Sequence, residues 1–287
     1  MKDIQKKIRP AEGYLITSAA NVQYLTHFTG TNGTVLLTKK KAFLITDARY
    51  ARVGKKILPR NVELVIMSSF KEEMPKLLKK LRTKKLNFES LDVSVEKHRQ
   101  LKKLLKGIKL EASTTFIESF REVKNREEIK WIRESQRINE KTFQAVTKQL
   151  KTGKSEKQVA WEIEKIGREM GADGISFDPI VAFGSNSGSP HHMNTTRKLK
   201  KGDMVLIDMG MKFKGYCSDM TRTLFTKKPT PKQEKIYQIV LQAQKASIQK
   251  LKAGIKGSAA DKIARDIIEK AGKAEKAKDQ KKFGYIR

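Results

Sequence analysis

The sequence predicts an α/β domain followed by an α+β domain. Three observations lead there. At 287 residues the chain is long enough for two separate cores. Its first part alternates short apolar runs with amphipathic ones, the pattern of mixed strands and helices. Near residues 120–124 that alternation gives way to one long capped helix, which sets expected domains of 1–122 and 123–287.

Taken in order, residues 14–17, 34–37, 42–46 and 62–67 are expected strands, short and rich in β-branched and aromatic side chains. Residues 70–81 carry apolar positions at helical spacing. Asn125 followed three residues later by Glu128 has capping-box spacing and opens the long helix. Ser155 and Gln158 repeat the device ahead of Val159, Ile163 and Ile166, and Gly171 closes that helix. Residues 204–207 and 216–225 read as strands joined by the turn-prone 212–215. Thr230, with Pro231 at the first helical position and Gln233 behind it, opens a helix running to Gly254, and a last one spans about 259–271.

The 62 Lys+Arg against 31 Asp+Glu give a net charge of +31. That excess favours anionic partners, but it is spread over both halves without a basic tail or stripe, which suits solvated helix faces; nucleic acid is expected to bind only nonspecifically. No run approaches the ~20 apolar residues of a membrane span, and MKDIQKKIRP lacks the apolar core of a signal peptide, so a cytoplasmic protein with no membrane partner is expected. The lone Cys217 has no partner for an internal disulfide and reads as a small half-buried side chain.

The chemistry-bearing stretch is LIDMGMKFKGYCSDMTRT, residues 206–223. It sets Asp208 and Asp219 in β-prone, apolar surroundings where an uncompensated carboxylate is costly. With the turn centred between Phe213 and Lys214, Asp208 is expected directly opposite Asp219, at the short Cβ separation where bare like charges repel. Two readings stay open on the residues alone: the carboxylates share a divalent cation, as hard oxygen ligands suit, or Asp219 pairs with Arg222 or Lys212 in a surface cluster. Likewise the His191–His192 pair in GSNSGSPHHMNTTR is either a polar surface loop or part of a site.

IDMG followed by GYCSDMTRT resembles the first metal-ligand segment of the pita-bread metallopeptidases, in particular the Xaa-Pro aminopeptidase and prolidase group. NVQYLTHFTGTNGTVLLT, FLITDARY and LNFES resemble that group's creatinase-like amino-terminal domain. The resemblance implies two divalent metal ions (Mn, Co or Zn), with Asp208 and Asp219 as ligands. It implies His191, directly after Pro190, as the catalytic histidine that contacts substrate, and Thr221 as a support behind the ligands. A proline-containing peptide or dipeptide is the implied substrate, cleaved at the bond before proline, with a homodimer formed through the amino-terminal domain. That domain carries no ligand in the family, so His27 is expected to be structural or near a site entrance and His98 to be a solvated helix residue.

The family's remaining three ligands, a His in an HGxGH-like strand and two Glu, have no match. No histidine follows His192, and Glu234, Glu269 and Glu275 stand in Lys-rich helical contexts and are not assigned as ligands. The expectation is therefore a chain truncated within the pita-bread domain, impaired or inactive as a peptidase. The contrasting expectation is a non-catalytic pita-bread module binding nucleic acid or protein.

Overall fold

The structure, a computed structural model, describes residues 1–274. The chain divides into two compact units, Met1–Ile129 and Lys130 onward.

The first unit holds α1 (Lys2–Lys6), β1 (Glu12–Ile16), α2 (Ala19–Thr26), β2 (Gly33–Thr38), β3 (Ala42–Thr46), α3 (Ala51–Ile57), β4 (Glu63–Ile66), α4 (Phe70–Lys80), β5 (Lys85–Glu89), α5 (Val95–Leu104), β6 (Lys109–Ser113) and α6 (Glu118–Arg121). Its strands form one six-stranded sheet in the order β4-β3-β2-β1-β5-β6. The β1–β2 pairing, across α2, and the β2–β3 hairpin are antiparallel, whereas β3–β4, β1–β5 and β5–β6 are parallel. Period-two alternation sends Ile16, Val35, Leu37 and Leu44 into one core and Leu15, Leu36, Phe43 and Ile45 into the other, so both faces are covered. His27 caps α2 in the left-handed conformation, a structural position. His98 is half-buried rather than solvated, because its ring stacks on Phe88 with centroids 4.9 Å apart.

The second unit contains most of α7 (Arg126–Gln149), then α8 (Glu156–Glu169), β7 (Gly174–Ile175), β8 (Ile180–Phe183), β9 (Met204–Met209), β10 (Met211–Phe213), β11 (Tyr216–Cys217), β12 (Met220–Phe225), α9 (Pro231–Lys250) and α10 (Gly257–Ala274). Asn125 caps α7, its Oδ1 accepting from the Glu128 amide at 3.0 Å while Glu128 accepts from the Asn125 amide. Full capping boxes open α8 at Ser155 and α9 at Thr230. The α8 face of Val159, Ile163 and Ile166 packs with Ile138 and Val146 of α7 against Val181, Phe183, Val205, Ile207 and Met209. Two three-stranded sheets result, β12-β9-β8 and β11-β10-β7.

The turn joining β10 to β11 corrects one expectation. Its two central residues are Lys214 at φ 50° and Gly215 at φ 82°. Two positive φ values in succession are the signature of a type I′ hairpin, and glycine is the residue that takes the second at least cost. The turn is therefore centred one residue later than the 213/214 midpoint, and every pairing moves by two: Phe213 faces Tyr216, and Asp208 faces Thr221 rather than Asp219. The run expected as one strand over 216–225 is also broken. Ser218 turns inward and is buried, while Cys217 is exposed rather than half-buried.

Candidate functional site

β9 alternates between faces. Val205, Ile207 and Met209 point into the core under the helices, which puts Leu206 and Asp208 on the opposite side. Pairing places Ile180 of β8 and Thr221 of β12 beside Asp208. A register shift of two preserves the face, so Asp219 lies diagonal to Asp208, two residues along from Thr221. The Thr221 hydroxyl donates to Asp208 Oδ1 at 2.7 Å. The Asp219 carboxyl is held above its ordinary value, first by desolvation and then by the like charge of Asp208. Among the described residues Asp219 forms no ion pair. Arg222 instead donates to the Thr221 carbonyl at 2.9 Å, and the alternative salt-bridge cluster with Arg222 or Lys212 is not formed.

The position of Asp219 is set by the break between β11 and β12. A Cβ on Gly210 would stand 2.1 Å from the Ser218 carbonyl oxygen, so only glycine allows the two strands this approach. The buried Ser218 hydroxyl accepts from the Met211 amide at 3.1 Å and donates to the Ser135 carbonyl at 3.2 Å. Asn139 of α7 donates to the Met209 carbonyl at 3.2 Å. These bonds use the backbone groups that the switch between sheets leaves unpaired.

His191 stands in the loop from Gly184 to Asp203, which leaves the end of β8. It is exposed and makes no hydrogen bond or ion pair with Asp208 or Asp219. At the free edge of β8 the Val181 amide donates to Asn194 Oδ1 of the loop at 2.7 Å, and the Phe183 amide donates to Glu156 Oε1 of α8 at 2.9 Å. Arg197 and Asp203 close its far end with an ion pair at 3.0 Å.

Glu156, the first residue of α8, is fully buried and accepts five hydrogen bonds. Phe183 N and Asn186 Nδ2 reach Oε1, while His192 Nε2, Thr195 N and Thr195 Oγ1 reach Oε2, all at 2.6–2.9 Å. Burial pushes this carboxyl up, but the donors outweigh it and hold it down at about 2. It therefore contributes stability that is present above the ordinary glutamate range near ~4.3 and is lost as the pH falls toward that depressed value. Nothing in the sequence marks Glu156: an acidic residue after a capping serine reads as a complement to the helix dipole, and its partners lie 27–39 positions away.

Two carboxylates on one sheet face, one of them raised by burial and then by the other's charge, are hard donors of the type that suits a divalent cation. Among the described residues, however, no group of three or more His, Cys, Asp or Glu is placed to hold one ion. The pair fits part of a coordination shell and falls short of a dinuclear one. Glu234 and Glu269 are exposed on α9 and α10, and Glu275 lies outside the described residues.

Comparison with known proteins agrees with this architecture. Residues 5–123 match the creatinase/prolidase N-terminal domain, and residues 130–285 match metallopeptidase family M24. The chain is 34% identical over 262 residues to the uncharacterized peptidase YqhT of Bacillus subtilis, covering 91% of this chain and 74% of that protein. It superposes on the X-Pro aminopeptidase of Thermotoga maritima with a TM-score of 0.89 at 29% identity, over 95% of this chain and 79% of the other. The Xaa-Pro dipeptidase of Bacillus anthracis gives 0.89 at 34% identity, over 95% and 77%. Matches to curated relatives span 45–76% of those proteins' own lengths. With a creatinase-like domain ahead of pita-bread sheets and helices, the chain belongs to metallopeptidase family M24.

Proposed function

We propose that this chain is a cytoplasmic, metal-dependent exopeptidase of the Xaa-Pro dipeptidase or aminopeptidase type, with residues 1–122 as its creatinase-like domain and 123–287 as its catalytic domain. The observation that carries the reading is the carboxylate pair on the exposed face beside β9 and β12, where burial and then the charge of Asp208 raise Asp219 and, among the described residues, no ion pair neutralises either. Asp208 and Asp219 would hold the metal. A divalent cation held there would supply Lewis-acid polarisation of the scissile carbonyl and would lower the pKa of a bound water. The Thr221 hydroxyl occupies one oxygen of Asp208, fixing the carboxylate and leaving its second oxygen for coordination. His191, free of hydrogen bonds to its neighbours and exposed on its loop, donates to the carbonyl oxygen of the substrate as charge develops there.

Two described carboxylates make a weak cradle, so metal affinity and turnover are placed below those of a complete five-ligand centre. Mn, Co and Zn all accept oxygen donors, and the pair does not choose among them. For the amino-terminal unit we propose a role in self-association, supported by the edge strands β4 and β6 of its sheet, which pairing with a second copy would extend. Among the described residues no helix is long and apolar enough to cross a membrane.

The test is hydrolysis of matched Xaa-Pro and Xaa-Ala peptides, as dipeptides and as longer chains, with added Mn and with chelator. Weak turnover is expected, confined to the bond before proline and to the metal-loaded protein. Equal cleavage of both peptide series, or cleavage that survives chelator, contradicts the proposal.

A further inference from the structure

We infer that Glu156 is the positioning residue of the His191 loop, acting through His192, Thr195 and Asn186 rather than by touching substrate. The assignment of His191 as a substrate contact gives this inference its functional meaning; the ordering itself rests on hydrogen bonds. The loop and the start of α8 hold each other in both directions. Helix amides at Glu156 and Lys157, which have no partner within the helix, donate to the Arg197 and Thr195 carbonyls at 3.2 Å. In return the Glu156 carboxylate collects donors from the end of β8, from the start of the loop and from its middle. An ionised acceptor makes each of these bonds stronger than a neutral pair would be.

His191 shares in none of them. It has no hydrogen bond among the described residues, so its placement is inherited from Pro190 before it and His192 after it. His192 is one-tenth exposed and bonded to a wholly buried carboxylate at 2.8 Å, which gives the two adjacent imidazoles different tasks: His192 anchors and His191 is presented. An uncharged residue of the same shape cannot replace Glu156, because two donors converge on one oxygen and three on the other, and an amide nitrogen would face one of those sets with donors of its own.

The experiment compares amide hydrogen exchange and the His191 imidazole NMR signal in wild type and Glu156→Gln, both as the full chain. In the variant, amides of residues 184–198 are expected to exchange at least about tenfold faster, the ratio implied by losing one charge-assisted bond. Amides of β9 and β12 should change by less than about twofold, since local opening is separable from global unfolding. The His191 signal should change in position or width as the backbone that carries it loosens. A uniform acceleration across the unit, or no acceleration in the loop, overturns the inference. Should Glu156→Gln fail to fold, Thr195→Val removes a single donor and must give the same localised change at smaller size; a uniform or absent change there counts equally against it. Adding an Xaa-Pro peptide to wild type separates the two levels: an unresponsive His191 signal rejects the substrate role, while the exchange contrast still decides the positioning role.

Discussion

Replacing His191 by alanine is expected to lower kcat/KM for an Xaa-Pro peptide by roughly 10²–10³, the cost of removing one well-placed donor to a developing oxyanion. Loop exchange and thermal stability should stay unchanged, because His191 makes no hydrogen bond to lose. His192→Ala should behave in the opposite manner. It leaves four donors on Glu156 and costs turnover about tenfold or less, through a looser loop rather than through lost chemistry. Steady-state kinetics on the two variants, with loop exchange as the second axis, check the pair. Equal kinetic losses with equally ordered loops would show that the two histidines have not divided the work in this way.

The second large effect is structural. Gly210→Ala places a methyl 2.1 Å from the Ser218 carbonyl oxygen, and a backbone atom cannot rotate aside as the end of a side chain can. The strands must separate where β9 passes into β10, at a cost of about 1–3 kcal/mol as overpacking, with Asp219 displaced because it follows Ser218 directly. Urea unfolding reads the stability loss and Mn affinity reads the displacement. A variant as stable as wild type that binds metal equally well would show that the close approach does not fix the carboxylates.

These two sites differ in how much of them could be read from the chain. Short apolar runs rich in β-branched and aromatic residues mark the strands around Leu15, Leu36 and Leu44, and side-chain chemistry at Asn125, Ser155 and Thr230 places three helix starts. Such signals lie within a few residues of the feature they specify. The hairpin was harder, because the expected register hung on one turn: choosing Phe213–Lys214 over Lys214–Gly215 moved Asp208 from Thr221 to Asp219. The decisive cue is local, a glycine able to take the second positive φ of a type I′ turn. Glu156 was beyond reach for a different reason. Its burial and its five donors exist only after β8, the loop and α8 have come together, and no pattern at a single stretch of sequence encodes that meeting. The basic excess, conspicuous in composition, is distributed over both units, and the carboxylate face owes nothing to it.

The corrected register also sharpens what the two aspartates should do when changed. Asp208→Asn keeps an acceptor for Thr221 and removes the like charge that, after desolvation, raises Asp219; Asp219→Asn removes the group that is costly to ionise in the fold. A carboxyl raised in the folded state favours folding below its unfolded value and loses that contribution as the pH rises through its folded value. At neutral pH Asp219 is therefore a cost to the metal-free protein, and Asp219→Asn should be at least as stable as wild type in chelator.

Thermal unfolding of wild type, Asp208→Asn and Asp219→Asn at neutral pH, each in chelator and in added Mn, tests the metal assignment most directly. Mn is expected to raise the Tm of wild type, since a ligand that binds the folded state stabilises it. A much smaller rise is expected in both variants, because an amide is the poorer ligand for a hard cation. In chelator, Asp219→Asn should unfold no earlier than wild type. An unchanged wild-type Tm in Mn, or an equal Mn shift in all three proteins, would contradict the assignment of Asp208 and Asp219 as metal ligands.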